Sequence, residues 1–505
     1  MTASAPPTAE RPATVAVVLA TAPATGLRPG HPADGSDSVF ERLARQLAAA
    51  GRELRAVTRS ARTPEDPAAS RHLTASGNLA DDLRAIAALA RTVDGPLVVV
   101  PGDVVAHDEA LALLISHPAR ATGALVSYET PDTLHTPVRV EYGRIVAAGT
   151  SFHRVVEANA GFRGVLQVSK ADLEVFADSA ETLALLLDSG RLGELGSSEA
   201  TSLLLVGLVR SGVRVNAVDI RVLHCDRVAD QEGMDHAISR LARVDEEKVR
   251  LDSAVKGDDG FFTTYFVSSW SRHLVRFCAR LGLTPNAVTG ISVGFAALAA
   301  LWFAEGTRTG LVVGAFLLYF SFVLDCVDGQ LARYTRRFSP LGAWLDATFD
   351  RVKEYMAYFG LAVGYAEGDI WRLAVAALVL QSVRHMVDFS YAGAQPATAQ
   401  SVPPRPFDLP EDPLQTPVAT ADGTASATSA ARGGSVVTIS RRFDRNSALR
   451  WFKKIVVLPI GERMALICLA AALFDARVTF LALIVWGGLA ACYMLAGRIL
   501  RSLKR

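Results

Sequence analysis

Four aspartates are spaced so that they could bind metal ions together. Asp325 and Asp328 are three positions apart, and Asp346 and Asp350 are four positions apart. Either spacing puts both side chains of a pair on one face of a helix, and a turn between the helices would let the two faces converge. Carboxylate oxygens suit Mg²⁺ or Mn²⁺, and two such ions form a clamp for in-line displacement at phosphorus. The spacing therefore predicts a site for two Mg²⁺ or Mn²⁺ ions held by all four aspartates.

Both aspartate pairs lie within or beside apolar sequence. The first pair follows the apolar run 310–324, and the second lies inside the run 341–365. The alternative to a metal site is a set of solvated charges at the ends of membrane helices. An unpaired carboxylate in apolar surroundings is costly, and ionisable groups inside membrane segments usually have a function. The surroundings therefore favour the metal site.

Composition indicates a chain of several domains, one of them embedded in a membrane. The chain has 505 residues, of which 50% are hydrophobic, and its mean hydropathy is positive. A net charge of +1 gives no electrostatic support for a nucleic-acid partner, so we expect none. The five cysteines are scattered and lack C-x-x-C spacing, which is typical of reduced packing residues.

Six apolar runs predict an all-α integral membrane domain within residues 261–505. The runs are 286–303, 310–324, 341–365, 373–392, 464–474 and 478–499. The fifth run is short and would need tilting or bilayer thinning. Lysine and arginine concentrate in alternate connecting segments, so the positive-inside rule puts both termini and the four aspartates in the cytosol. We expect a multi-pass protein of the cell membrane.

The segments around these runs have recognisable local patterns. Thr284 followed by Pro285 predicts the N-cap and first residue of a helix. Aromatic residues alternate with basic ones over 261–280, as in an amphipathic helix at a membrane interface. Further predictions follow from composition: a disordered tail at 1–12, a helical connector at 226–260 and a disordered cytosolic loop at 395–440.

Residues 13–225 have the rhythm of an α/β domain. Strand patterns at 15–20, 54–58 and 96–100 alternate with helical patterns at 39–50 and 79–92. This alternation predicts a mostly parallel sheet with helices on both faces. Asp103 follows the third of these strands, at the sheet edge where ligands of open α/β sheets bind.

The acidic motif resembles a family signature. From Asp325 to Asp350 the sequence reads D-x-x-D-G-x-x-A-R, eight residues, then G-x-x-x-D-x-x-x-D. This pattern is similar to the signature of the CDP-alcohol phosphotransferases (CDP-alcohol phosphatidyltransferases), and the resemblance covers the chain from near Lys256 onward. It implies metal-dependent transfer of a substituted phosphate from a CDP-alcohol to an alcohol acceptor in a lipid bilayer, with release of CMP. It also implies a homodimer through the membrane domain.

The resemblance assigns roles to individual residues. The metals would bind the pyrophosphate of the CDP-alcohol, and Asp350 would accept the proton of the acceptor hydroxyl as general base. The residues that would lie against the nucleotide are Gly329, Ala332, Arg333, Gly342, Asn286 and Thr289. The small residues among them would equally permit close helix packing, and Asn286 and Thr289 have capping and packing as an open alternative.

Basic residues inside two apolar runs suggest how an acceptor would bind. Arg384 and His385 lie in the fourth run together with Asp388, and Arg463 lies at the start of the fifth. Ionisable groups in such positions should point inward, and a basic set suits an anionic acceptor such as an inositol or glycerol phosphate. Structural ion pairs are the alternative.

The N-terminal domain resembles nucleotidyltransferases, as in bifunctional inositol-phosphate cytidylyltransferase and di-inositol-phosphate-phosphate synthases. The likeness rests on the loop 19–29, on the segment 46–51 and on Gly102-Asp103. It implies that Asp103 binds a metal, and Asp219 is a separate candidate for a second ligand. However, alanine and proline replace the loop glycines at 22–24, and no lysine precedes Lys170. Two alternatives stay open: a domain that makes the CDP-alcohol from CTP and a phosphorylated alcohol, and a non-catalytic nucleotide-binding module.

Overall fold

A computed structural model describes nine stretches of the chain. These are residues 14–30, 37–59, 73–117, 119–129, 135–255, 260–365, 368–394, 404–412 and 455–502. The chain divides into two compact units, Met1–Val249 with Ala397–Asp422, and Arg250–Pro396 with Gly423–Arg505. The tail predicted at 1–12 and most of the loop predicted at 395–440 lie outside the described residues.

The N-terminal unit is built on a large β-sheet. Its strands are β1 Val15–Ala20, β2 Glu53–Thr58, β3 Leu73–Ala75, β4 Leu97–Pro101, β5 Val104–Ala106, β6 Gly123–Ser127, β7 Thr136–Glu141, β8 Arg144–Ala148, β9 Ala160–Val168, β10 Val215–Asp219 and β11 Cys225–Arg227. Within the described residues, nine strands form one sheet in the order β3-β2-β1-β4-β9-β6-β10-β8-β7, and β5 pairs with β11 separately. The predicted strands β1, β2 and β4 are confirmed.

The sheet is mixed, which differs from the mostly parallel sheet predicted. Strands β1 to β4 pair in parallel, but β9 lies antiparallel between β4 and β6. The hairpin between β7 and β8 adds another antiparallel pair. Its turn consists of Tyr142 and Gly143, both with positive φ, which is the conformation that a two-residue hairpin requires. Such a short connection can join only antiparallel strands.

Helices cover the sheet on both faces. They are α1 Val39–Ala49, α2 Leu79–Thr92, α3 Asp108–Ile115, α4 Leu173–Asp188, α5 Ala200–Arg210 and α6 Gln231–Leu241. Ser38 and Glu41 form a capping box that fixes the start of α1. Helix α6, predicted as part of a solvated connector, buries Met234 and Ile238 in an apolar cluster with Val39 and Val105. It therefore belongs to the N-terminal unit.

Residues 404–412 are ordered on the N-terminal unit, although the composition of 395–440 predicts disorder. Two hydrogen bonds connect this segment to Arg210. The Arg405 amide donates to the Arg210 carbonyl at 2.7 Å, and Arg210 Nη1 donates to the Pro406 carbonyl at 2.6 Å. Asp412 is buried and accepts from Arg405 Nη1 at 2.9 Å. Backbone hydrogen bonds and a buried ion pair, which composition does not reveal, order these nine residues.

The second unit is helical. Its helices are α7 Glu246–Ala254, which crosses the unit boundary, α8 Ser268–Arg280, α9 Pro285–Ala304, α10 Arg308–Thr335, α11 Pro340–Val363, α12 Ile370–Ala394, α13 Ile460–Leu473 and α14 Ala476–Ser502. Thr284 caps α9 as predicted, since its hydroxyl accepts from the Ala287 amide at 3.2 Å and Pro285 occupies the first turn. Helix α8 buries a narrow stripe and exposes Phe277, in keeping with its predicted amphipathic character.

Four of the described helices, α9, α10, α12 and α14, are long and apolar enough to cross a membrane. The other two predicted spans differ from these for separate reasons. Helix α11 has 24 residues but carries five charged side chains between Asp346 and Glu354. Helix α13 has 14 residues, which at 1.5 Å per residue is about 21 Å, shorter than the hydrocarbon core.

Close packing of α9 against α10 and α11 positions the acidic motif. Ser292 on α9 donates to the Ser321 carbonyl on α10 at 2.9 Å, and Ser321 donates to the Ser292 carbonyl at 2.7 Å. On the other side, Gly360 of α11 lies against the backbone of Ala300, where a β-carbon would come within 2.4 Å of the carbonyl oxygen. The glycine permits this approach because it has no side chain.

Candidate active site

The two aspartate pairs converge because α10 and α11 are joined by a sharp turn. Arg336 ends α10 in a left-handed conformation with φ of 55°. Ser339 then caps α11 by accepting from the Gly342 amide at 2.8 Å. As a result, carboxylate oxygens of Asp325, Asp328 and Asp346 lie within 4.8 Å of one another. This set of three hard oxygen donors suits one Mg²⁺ or Mn²⁺ ion.

Asp328 is the most enclosed of these three carboxylates. It is 3% exposed, whereas Asp346 is exposed. The hydroxyl group of Thr289 on α9 donates a hydrogen bond to Asp328 Oδ2 at 2.5 Å. Thr289, predicted to face the nucleotide, therefore lies at the site through its contact with an aspartate. A hydrogen bond of this kind orients a metal-binding carboxylate.

Asp350 lies outside this group of three, and a lysine lies beside both Asp350 and Asp325. Lys353 is 2% exposed, and its ammonium forms an ion pair with Asp325 and lies 3.7 Å from Asp350 Oδ1. Lys353 Nζ also donates to Ser292 Oγ at 3.3 Å. Lys353 was not predicted, although a lysine inside an apolar run is itself a signal of function.

The predicted nucleotide-binding residues lie around the acids. Asn286 Oδ1 would be 2.9 Å from a β-carbon at Gly342, so these two positions are in contact across α9 and α11. Arg333 extends past Gly329 and donates from Nε to the Ala254 carbonyl at 2.5 Å. Ala332 lies half-buried on α10 between them. The small side chains leave the backbone of α10 accessible beside the acids.

A buried basic cluster contains the predicted acceptor residues. Arg463 donates from Nε to Glu354 Oε1 at 3.2 Å and from Nη2 to Glu354 Oε2 at 3.3 Å, and Glu354 is fully buried. With the Gln381 amide oriented so that its oxygen faces donors, this oxygen accepts from His385 Nε2 at 2.9 Å and from Arg463 Nη2 at 3.0 Å. Glu354 and Gln381 were not predicted. Arg463 therefore forms an ion pair with Glu354, which is the structural alternative to a role in acceptor binding.

Arg384 differs from Arg463 in its contacts. It is 6% exposed and donates from Nη2 to the Val457 carbonyl at 2.9 Å. Its Nε and Nη1 atoms are buried without a hydrogen-bond acceptor among the described residues. Asp388, one turn along α12, is paired with Arg498. A buried guanidinium with unsatisfied donors is suited to an anion such as a phosphate.

The edge of the N-terminal sheet has a cavity of about 590 Å³ whose lining includes Ala22, Pro23, Asp103, Glu199 and Arg227. Asp103 is buried there, and both its oxygens accept hydrogen bonds from Arg227. Pro23 removes a backbone donor from the loop that lines the cavity.

Asp219 is not among the residues that line this cavity. Its Oδ1 accepts from the Arg221 amide at 2.9 Å, so it caps the turn after β10. Asp226 on β11, which the sequence analysis did not single out, is buried and paired with Arg163 at 3.1 Å and Arg240 at 3.3 Å. Arginines thus engage both buried carboxylates, Asp103 and Asp226, and these residues as arranged do not fit a divalent metal.

Comparison with known proteins agrees with the family resemblance of the acidic motif. Residues 282–405 match the CDP-alcohol phosphatidyltransferase family. A protein of Rubrobacter xylanophilus named bifunctional IPC transferase and DIPP synthase is 30% identical over 226 residues, which are 40% of this chain and 50% of that one. Phosphatidylinositol phosphate synthase of Mycobacterium marinum is 36% identical over 123 residues, 24% of this chain and 51% of that one. The chain thus spans about half the length of these curated relatives.

Among solved structures, the inositol-1-phosphate CTP transferase of T. maritima is 16% identical with a TM-score of 0.35, covering 46% of this chain and 97% of that one.

Proposed function

We propose, from the match of residues 282–405 to the CDP-alcohol phosphatidyltransferases, that this membrane protein transfers a substituted phosphate from a CDP-alcohol to an acceptor hydroxyl and releases CMP. The observation that carries the proposal is the convergence of Asp325, Asp328 and Asp346 from two helices onto one point. The product would be a phosphodiester of the kind found in phospholipids or inositol phosphates.

The three converging aspartates would hold a divalent cation, Mg²⁺ or Mn²⁺. When bound, the cation would offset negative charge on the pyrophosphate and on the departing CMP. Thr289 would keep Asp328 oriented through its hydrogen bond. The cytidine end would lie along Gly329, Ala332 and Gly342, where the small side chains admit a ligand, with Asn286 and Arg333 at its sides.

Asp350 is the proposed general base. Its Oδ1 is buried and accepts no hydrogen bond from the described residues, although the Lys353 ammonium lies 3.7 Å away. A carboxylate oxygen without a donor can accept the proton of the acceptor hydroxyl. Lys353 would hold the carboxylate in place through charge attraction while leaving that oxygen available.

The acceptor would be anionic, such as an inositol or glycerol phosphate. Arg384 supports this choice because two of its buried donor atoms, Nε and Nη1, lack an acceptor among the described residues. His385 and Arg463 would line the same subsite, with Arg463 held in position by Glu354. We therefore assign the phosphate of the acceptor to Arg384, and the shape of the subsite to His385 and Arg463.

For the membrane topology we propose six spans with both termini in the cytosol of the cell membrane, and a homodimer through the membrane domain. Positive charge in alternate connecting segments supports the orientation. In this arrangement α11 carries its charges inward toward α9 and α10, and α13 packs between longer helices. Labelling of single cysteines placed in the connecting segments, and intersubunit crosslinking of cysteines on α12, would test these two statements.

The reaction is tested with the full-length protein in vesicles, supplied with radiolabelled CDP-diacylglycerol or CDP-inositol and a panel of alcohols. We expect Mg²⁺- or Mn²⁺-dependent CMP release that Asp346→Asn and Asp350→Asn each abolish. The matched control is Asp369→Asn, since Asp369 lies outside the motif in an exposed pair with Arg477. Retained CMP release in either motif variant would contradict the proposed mechanism.

A second candidate function concerns the N-terminal unit: synthesis of the CDP-alcohol from CTP and a phosphorylated alcohol. The sheet-edge cavity and the bifunctional name of the Rubrobacter relative favour it. The Asp103–Arg227 pair and Pro23 favour the other alternative, a non-catalytic nucleotide-binding module. Pyrophosphate release from CTP by the full-length protein, retained in an Asp350→Asn background, would identify the synthetic activity; CTP binding without turnover would identify the module.

A further inference from the structure

Lys353 is held among the acids by three groups from three helices. Its ammonium forms an ion pair with Asp325 of α10, lies 3.7 Å from Asp350 of α11 and donates to Ser292 of α9 at 3.3 Å. The side chain is 2% exposed. A buried ammonium is stable only when carboxylates and hydrogen-bond acceptors surround it, so moving it elsewhere would be unfavourable.

The position of Lys353 divides the four aspartates into two groups. Asp325, Asp328 and Asp346 present oxygens within 4.8 Å of one another, and Asp350 lies outside that set among the described residues. Asp325 belongs to both groups, because it also contacts Lys353. Two positive charges face Asp350: the Lys353 ammonium lies 3.7 Å from its Oδ1, and the Arg351 guanidinium lies 3.9 Å from its Oδ2.

The space beside Lys353 also disfavours a second divalent ion. Asp325, Asp350 and Lys353 line a recess together with Leu318, Phe322 and Met464, and with the ammonium in this position the recess does not hold a hydrated ion. Mg²⁺ keeps several of its waters when it binds to proteins. A second divalent ion would in addition meet the positive charge of Lys353 at close range.

We propose that this protein binds a single divalent cation at Asp325, Asp328 and Asp346, and that the ammonium of Lys353, beside Asp325 and Asp350, takes the place of a second one. Lys353 is then a positioning residue, which holds the general base and supplies one fixed positive charge. This inference rests on the proposed function for its catalytic meaning, but the number of ions is measurable without turnover.

The test is a count of bound Mn²⁺ ions. Full-length protein in detergent is stripped with a chelator and titrated with Mn²⁺, and free Mn²⁺ is followed by its electron paramagnetic resonance signal. Ions bound by the wild type but not by Asp328→Asn/Asp346→Asn are assigned to the acidic motif. We expect one such ion in the wild type and two in Lys353→Met, which is similar in length but uncharged. Lys353→Arg, which keeps the charge, should bind one.

Adding Asp350→Asn to Lys353→Met should return the count to one, because the second ion would lose its ligand. Two motif ions in the wild type would overturn the proposal, as would an unchanged count of one in a folded Lys353→Met protein. If Lys353→Met fails to fold, the wild-type count and Lys353→Arg still decide the question. CMP release is measured separately: one bound ion without any CMP release contradicts the proposed function alone, and two ions with CMP release contradict this inference alone.

Discussion

Arg227 binds both carboxylate oxygens of Asp103, with Nε 3.0 Å from Oδ1 and Nη2 2.6 Å from Oδ2. Both side chains are less than a tenth exposed. The carboxylate that the sequence predicts as a metal ligand is thus neutralised by a neighbouring guanidinium from the same chain. Without movement of Arg227, the Asp103 carboxylate is not available to a cation.

Removing Arg227 should destabilise the N-terminal unit. Arg227→Met leaves Asp103 buried without its counter-charge, which costs about 3–5 kcal/mol in comparable cases. The double variant Asp103→Asn/Arg227→Met should recover part of that loss. All six tryptophans lie at Trp270 or later, so urea-dependent proteolysis of the N-terminal unit in the full-length protein is the suitable measurement. Lys170→Met, which breaks an exposed pair with Asp94, is the control and should leave the midpoint unchanged.

Thr289→Val should weaken metal binding. The substitution keeps the shape of the side chain but removes the hydrogen bond to Asp328, and loss of such a supporting contact lowers metal affinity or activity about 10–100-fold. Mn²⁺ affinity and CMP release should fall together. Thr289→Ser keeps the hydroxyl and should stay near the wild type. Equal Mn²⁺ affinity in the valine and serine variants would mean that the hydrogen bond does not support the site.

Arg384 and Arg463 should respond differently to substitution. Arg384→Met should raise KM for an anionic acceptor about 10–100-fold, the size expected for a lost hydrogen bond to a charged group of about 1.5–3 kcal/mol. KM for the CDP-alcohol should stay the same. Arg463→Met instead leaves Glu354 buried and unpaired, so we expect a loss of stability of about 3–5 kcal/mol. Steady-state kinetics with both substrates varied, and thermal unfolding in detergent, separate the two effects.

The stability of the N-terminal unit should fall in mild acid. Burial lowers the pKa of His153 below its ordinary value of 6.5, and the nearby Arg210 lowers it further. The unfolded chain takes up a proton near pH 6.5, whereas the folded unit does so only at lower pH. The contribution of His153 is therefore complete above pH 6.5 and is lost as pH falls from there through the lowered folded value.

His153 Nε2 donates to the Phe407 carbonyl at 2.7 Å, which holds residues 404–412 on this unit, so the segment should report the loss of stability of the unit. Hydrogen exchange of that segment should quicken between pH 7.5 and pH 5.5 after correction for the intrinsic rate. His153→Gln has no proton to gain in this range and should show a smaller pH effect. A pH response equal to that of the wild type would assign the effect to other groups, such as His224, whose pKa burial also lowers.

Gly360→Ala should disrupt the packing of α11 on α9. A β-carbon there would meet the Ala300 backbone at 2.4 Å, and forced contacts of this kind typically cost about 1–3 kcal/mol. Gly294→Ala on α9 is the matched control, because a β-carbon at that position meets nothing within 4 Å. Thermal unfolding in detergent should show a lower midpoint for the first variant only. A shared decrease would point to a backbone effect rather than to packing.

Local patterns in the sequence correctly predict many of the helices and strands. The first strands and helices of the N-terminal unit follow their predicted bounds because hydrophobic periodicity and caps such as Ser38 act over a few residues. The spacing of the aspartates likewise fixed which helix faces carry them. The convergence of Asp325, Asp328 and Asp346 was predictable because two helices and one short turn constrain it.

The tertiary structure decided which charges meet. Lys353, Glu354 and Arg227 are remote in sequence from some of their partners or hidden inside apolar runs, so no local pattern pairs Asp103 with Arg227 or Glu354 with Arg463. The antiparallel placement of β9 and the order of residues 404–412 also depend on contacts between distant segments. Local propensity and spacing set the elements and the acidic motif, whereas burial selects the partner of each charge, since a charge removed from water must find its counter-charge wherever the fold brings one.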